Sequence, residues 1–402
     1  MTRAILDIHI LQNVPPSNIN RDDTGTPKTA TYGGVRRARV SSQAWKRATR
    51  DEFRNLLPES ELGTRTKKVA EAVADRIEAA DSSLSRGQAV ALAAEMMRAA
   101  TGSKIEVPVR RKKSGAEEEA SEESPESSYL MFLGRRQLDR LAELALAGAP
   151  DGDVEALKTF LKAKENKTAA QRAVNTRHSV DIALFGRMVA DSADLNVDAA
   201  TQVAHALGTH ASDIESDYYT AVDDSNKKEE SGAGMIGTID FNSATLYRYA
   251  AVDLSELHHT LGVGLEPSAS PSTPAQQAAR VFLEGFVTSL PTGKVNTFGH
   301  HTLPAAVVVK LRDRRPVSFV GAFEEPVRVG ENGGFMAESC DRLAKHVPAL
   351  EEQYGVAEGD RTWVLRVGEE TKKLAALGTE VTLAELLDQV ESAVAERLGT
   401  GA

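Results

Sequence analysis

The sequence has little of what would give a function away. It contains one cysteine, Cys340, which excludes an internal disulfide framework and any cysteine-based zinc cluster. A lone thiol with no base beside it is expected to be packed and not a nucleophile. No apolar run reaches the ~18 to 20 residues that a membrane span needs. The opening MTRAILDIHIL alternates around Asp7 and His9, so it reads as a first strand and not as a signal peptide. A cytoplasmic protein with no membrane partner is expected. Catalytic motifs are scarce as well. GVG at 262–264 is not a dinucleotide fingerprint, and His205 and His210 are five apart, not at the i,i+4 spacing of a zinc helix. His258-His259 and His300-His301 have no nearby cysteine or carboxylate pattern to complete a site.

Acidic balance would ordinarily argue against a nucleic-acid partner, because affinity for phosphate comes largely from lysine and arginine. The chain has a formal net charge of -10 over 402 residues. Its distribution is uneven, however. From Thr24 to Arg50 there is no acidic residue, yet Lys28, Arg36, Arg37, Arg39, Lys46, Arg47 and Arg50 all fall there. Such concentration gives a local electrostatic footprint on a body that repels polyanions elsewhere.

Periodicity sharpens this. In VRRARV (35–40), strand alternation puts Ala38 and Val40 toward a core and turns Arg37 and Arg39 outward. Ser41 or Ser42 is a good helix N-cap, and SQAWKRATRDEFRNLL continues at helical spacing. Trp45, Thr49, Phe53 and Leu56 gather on one arc, with Gln43, Lys46, Arg47 and Arg50 opposite. The start of that helix offers unpaired N–H groups to an anion. Strand signals at 4–11, 33–40, 179–188, 237–254 and 303–313 and helices at about 42–57 and 274–290 surround a helical block. With the block set aside, the order is βαββαβ, a ferredoxin-like arrangement shared by RNA-recognition modules. Tyr247 and Tyr249 share a strand face, where core packing is favoured over base stacking. RKKSGAEEEASEESPESS (111–128) has the composition of a disordered acidic loop. DDSNKKEESGAG (223–234) suits a long hairpin tip, and EPSASPSTPA (266–275) a linker.

The run NRDDTGTPKTATYGGVRRARVSSQAWKRATR, with VDIALFGRM and YYTAVDD…GTIDFNSATLYRYA, closely resembles the CasC family, the backbone subunit of the type I-E CRISPR surveillance complex Cascade. The resemblance is specific over the first sixty residues and about 175–255, and looser elsewhere. It implies an α+β fold: an RRM/ferredoxin-like palm with a large helical insertion, the fingers, and a long β-hairpin thumb. The expected boundaries are palm at 1–60, fingers at 61–170, palm again at 171–350 with the thumb at about 212–240, and a C-terminal segment at 351–402 packed on the palm. It further implies a noncatalytic subunit that binds guide RNA (crRNA), lines up with copies of itself along the spacer, joins other Cascade subunits and presents the guide to target DNA. Contacts to the RNA backbone are implied for Arg21, Lys28, Ser42, Gln43, Lys46 and Arg50, with Arg37 and Arg39 on the positive surface. Met188, Tyr219 and Thr220 match positions that pack around a displaced nucleotide. Neither cofactor nor metal is expected. The competing reading is a metal-dependent ribonuclease using Asp22 or Asp23; adjacent carboxylates on extended chain point apart, so a turn or salt-bridge role is preferred for them. Lys294, in the loop TGKVNTFGHH, is a further candidate contact.

Overall fold

The computed structural model describes residues 3–107, 125–189, 192–221, 235–265, 272–357 and 359–399. The expected acidic loop, hairpin tip and linker lie largely outside these ranges, but Glu126–Ser127 forms a short strand with Ile105–Glu106. Two compact units emerge, one from residues 1–56, 201–255 and 279–402, the other from 57–200 and 256–278.

The first unit is built on one large sheet. Its strands are β1 (Ile5–Ser17), β2 (Thr29–Tyr32), β3 (Val35–Val40), β4 (Thr201–Val203), β5 (Ala206–Gly208), β6 (Glu215–Ala221), β7 (Met235–Asp253), β8 (Ala306–Arg312), β9 (Arg361–Arg366) and β10 (Thr379–Glu380). The main path runs β10-β9-β8-β1-β7-β5-β3-β2, and β4 and β6 also pair with β7. All these pairings are antiparallel except β9 with β10. β7 is 19 residues long because it serves twice. Its first part pairs with β6 in a hairpin, Glu215 opposite Phe241, and its remainder pairs with β1 from Asn242 to Asp253.

β1 sits between β7 and β8 and is buried on both faces, so its residues divide between two cores. Ile5 and Leu11 join Tyr247, Tyr249, Ala251, Phe319, Phe323 and the Met336–Tyr354 helix. Tyr247 and Tyr249 are therefore core residues, and Cys340 packs among them with its thiol pushed up to about 12 by burial. On the other face Ile10 pairs with Arg248. Above it lie Trp45 of helix α1 (Ser42–Leu56) and Phe286 of the Ser272–Thr288 helix.

The second unit is mainly helical, with helices at Val69–Ala80, Arg86–Thr101, Arg135–Gly148, Val154–Lys162 and Lys164–Asn175. Leu92, Met96, Leu138, Leu141 and Leu157 share its core. Ser85 and Gln88 close a reciprocal capping box at one helix start. The strand expected at 179–188 is instead a short helix, Val180–Phe185, ended by Gly186 at φ +77°. Its run is buried nearly throughout, and a short apolar run of that kind has no periodicity to separate strand from buried helix. No described helix is long and apolar enough to cross a membrane.

Asp7 gathers three polar contacts at the start of β1. It accepts from Tyr249 Oη at 2.8 Å, Arg312 Nε at 2.9 Å and the Val317 amide at 3.0 Å. Burial nevertheless outweighs these contacts and pushes its carboxyl up to about 6. A folded value above the ordinary 3.8 means that ionisation costs the native state, so Asp7's contribution is fullest below that value and is lost as pH rises through about 6. Asp7→Asn leaves Arg312 short of a partner and should be destabilised throughout, so the pH slope is the readout. In urea titrations, the advantage of the parent over Asp7→Asn should shrink between about pH 4 and pH 6; an advantage that grows over that window would show that the Arg312 charge governs Asp7.

Candidate nucleic-acid interface

The basic segment is held by two loops and a buried arginine. After β1 the chain turns at Asp22, whose Oδ1 accepts from the Thr24 amide at 2.9 Å, the Thr24 hydroxyl at 2.7 Å and the Thr26 amide at 3.1 Å. These bonds, Thr24 foremost, hold the Asp22 carboxyl below its ordinary range. The Asn18 side-chain amide donates to the carbonyls of Gly25 and Asp240 at 2.8 and 2.9 Å. Thr26 and Ser216 both donate to the Asp240 carboxylate, at 2.8 and 2.7 Å. The turn is thereby tied to the base of the β6–β7 hairpin.

α1 begins where Ser41 caps it. Ser41 Oγ accepts from the Ala44 amide at 3.4 Å, and Asn20 Oδ1 accepts from the Ser41 amide at 2.8 Å. Ser42 is then the first helical residue and not the cap. The helix buries Trp45, Thr49 and Phe53, as the 3.6-residue period predicts. Gln43 and Arg47 are exposed, while Lys46 and Arg50 are half-buried, with partial desolvation lowering the Lys46 pKa.

Gln43 and Arg47 line an open groove of about 1010 Å³ together with Arg21, Ser41, Lys294 and His301. The groove's far wall is the 288–303 loop, packed against the hairpin base through Phe298 and Phe241, whose rings are 5.8 Å apart. Asp51 and Glu52 lie at one end, where Asp51 makes a loose, exposed ion pair with Arg47 at 3.7 Å. Lys28 and Arg39 form a second group, with Arg39 Nη1 3.1 Å from His205 Nδ1. Partial burial, then the charges of Arg39 and Lys28, holds His205 below its ordinary value.

Arg37 corrects the expectation of an outward-facing side chain, because it is wholly buried. Alternation does place it opposite Ala38, but that face is covered as well. Its guanidinium donates to five carbonyls: Tyr32 (3.1 Å), Gly208 (3.1 Å), Thr209 (2.7 Å), Phe323 (3.0 Å) and Glu324 (3.0 Å). Every donor is satisfied within the chain, so Arg37 braces the β2–β3 edge. Gly33, at φ +59°, allows the approach, since a Cβ there would lie 1.6 Å from the Glu324 carbonyl oxygen.

Tyr219 and Thr220 stand exposed on β6. Met188, in the helical unit, is 84% exposed and follows the buried Arg187, which donates to the carbonyls of Leu195 and Val174. His210 is packed, with the Thr245 amide donating to its Nε2 and its ring stacked on Phe335. Sequence reasoning missed Asn20 and Arg248. Asn20 carries no signal apart from preceding a capped helix by two strands. Arg248 stands out as a charge between Tyr247 and Tyr249 in a buried strand; its guanidinium lies 3.7 Å from the Trp45 ring centroid, bonds Gln12 Oε1 at 2.6 Å and the Phe286 carbonyl, and is pushed down to about 9 by burial.

The arrangement is an α+β unit with an exposed groove, lined by Arg21, Arg47 and Lys294, beside a helix start, and such a groove can attract an anion. Residues 6–389 match the CT1975-like protein family, and the chain belongs to that Cas family. One solved chain, from a "CRISPR RNA-guided surveillance complex, pre-nicking", superposes at a TM-score of 0.78 with 32% identity, covering 97% of this chain and 100% of that one. Another, from a "CRISPR RNA-guided surveillance complex", gives 0.67 with 29% identity over 97% and 99%. A search of curated proteins found no match.

Replacing Arg37 with Met removes five hydrogen bonds to carbonyls, of which the Thr209 carbonyl keeps its bond from the Val327 amide at 2.9 Å. Destabilisation of about 3 kcal/mol or more is expected in urea unfolding. A change within ~0.5 kcal/mol, the ordinary range of a surface site, would restore Arg37 to the outer face.

Proposed function

We propose that this chain is a noncatalytic backbone subunit of a CRISPR surveillance complex, binding the guide RNA through its phosphates and lining up with copies of itself along the spacer. In this reading the first unit is an RRM-like palm. The strand order β8-β1-β7-β5, with α1 and the Ser272–Thr288 helix as its two crossovers, supports that, β5 taking the place expected for 179–188. The β6–β7 hairpin is the thumb and the helical unit holds the fingers. Other complex subunits and, through pairing with the guide, target DNA are the remaining partners.

The single observation that carries the reading is the groove where Arg21, Gln43, Arg47 and Lys294 converge on the open start of α1. Cations and backbone amides there can hold phosphates whatever the base, which suits a subunit that must accept any spacer. Lys46 and Arg50 flank the groove side of the helix, and Lys28 with Arg39 extends the positive surface along β3. Tyr219, Thr220 and Met188 are exposed, as contacts to a displaced nucleotide require. No structural observation favours the ribonuclease reading. Asp22 Oδ1 is engaged in its own turn, and the described residues hold no group of three His, Cys, Asp or Glu side chains placed to take an ion.

Charge reversal at the exposed groove cations tests the proposal. Arg21→Glu with Arg47→Glu and Lys294→Glu should leave unfolding within about 0.5 kcal/mol per site. If each loses one phosphate contact, the slope of log K against log salt for single-stranded RNA should flatten by about 2. Unchanged RNA affinity and slope would remove the groove from the interface.

A further inference from the structure

Tyr219 and Gly237 lie directly opposite each other across the β6–β7 hairpin. The tyrosine ring is laid over the glycine: a Cβ at 237 would stand 2.4 Å from Tyr219 Cζ, 2.5 Å from its hydroxyl oxygen and 2.8 Å from Cε1. Tyr219 is still 44% exposed. One side of its ring is thus backed by the β7 backbone while the ring keeps an open side. Tyr218, 61% exposed, pairs with Thr238 and points to the opposite side of the hairpin, so it does not share this seat.

We propose that Gly237 is a positioning residue that holds Tyr219 as a fixed plate for one nucleobase; the proposal rests on the reading of this hairpin as an RNA-contacting thumb. An aromatic ring covering a cross-strand glycine is a recurrent stabilising pair in sheets. Here it also removes rotamer freedom before any ligand arrives, so stacking a base on the ring needs less ordering than stacking on a mobile side chain. Any side chain at 237 would occupy the ring's place. The atoms that must yield are the far end of Tyr219, not backbone, so the substitution shifts the plate and spares the hairpin.

Two measurements separate the seat from the reading beneath it. The first uses no RNA. Trp45 and Trp363 are buried, at 0% and 4% exposure, so a tryptophan placed at 219 supplies the quenchable fluorescence. Acrylamide quenching of Tyr219→Trp should rise when Gly237→Val is added, and Gly237→Ala should give a smaller rise; equal quenching in all three overturns the seat. Matching circular dichroism and urea midpoints show that the hairpin variants fold, and a loss of fold in both glycine variants also overturns the claim that only the ring yields. The second uses guide-length RNA carrying 2-aminopurine at successive positions. The parent should quench the probe at the stacked position, Gly237→Val should relieve that quenching as Tyr219→Ala does, and Tyr218→Ala should not. Quenching that survives Gly237→Val overturns the positioning role. Failure of the parent to bind any of the RNAs overturns the RNA reading itself and with it the role of the plate, whatever the acrylamide result.

Discussion

The geometry of the interface depends on where the β2–β3 edge is pinned, and the Arg37 guanidinium pins it. Five carbonyls from the end of β2, the end of β5 with the residue after it, and the 323–324 segment converge on one planar cation. β3 runs straight into α1, so fixing its register fixes the helix start and the direction of the Gln43 and Arg47 side chains. The chain thus uses one arginine of its basic run as a structural bolt and leaves others exposed. Arg and Lys are not interchangeable in that position, since only the guanidinium fork offers five donors in a plane.

Electrostatics follow from the same choice. Arg37 and Arg248 are buried, and their guanidinium groups donate to carbonyl and amide oxygens. The cations of β8 are treated differently: Arg312 and Lys310 are matched by Asp7 and Glu351. An acidic protein can in this way present a positive groove, because what a ligand meets is the local field and not the total charge. The turn at Asp22 shows the complementary economy, its carboxylate satisfied within the loop that positions Arg21.

Much of this was legible in the sequence, for identifiable reasons. The α1 face, the helical block and the strands β1, β7 and β8 follow from periodicity, which burial enforces over long elements. The positive groove was legible as a run of cations, and Arg47 was found by helical angle alone. Four features were hidden. Alternation says which side of a strand Arg37 occupies but not whether another segment covers that side. VDIALF is too short and too uniformly apolar to reveal its period. The wall supplied by Lys294 and His301 is remote in sequence from α1, and only the fold brings it alongside. Gly237 gives no sign of its neighbour until the β6–β7 register is known.

The most direct test of the account is the native mass of the purified chain, at low and high salt, with single-stranded RNAs of graded length. The account predicts mass that climbs in steps with RNA length and falls back at high salt, since each added copy is held by phosphate contacts. Assembly that is the same with or without RNA, or a chain that stays unbound at every length, would contradict it.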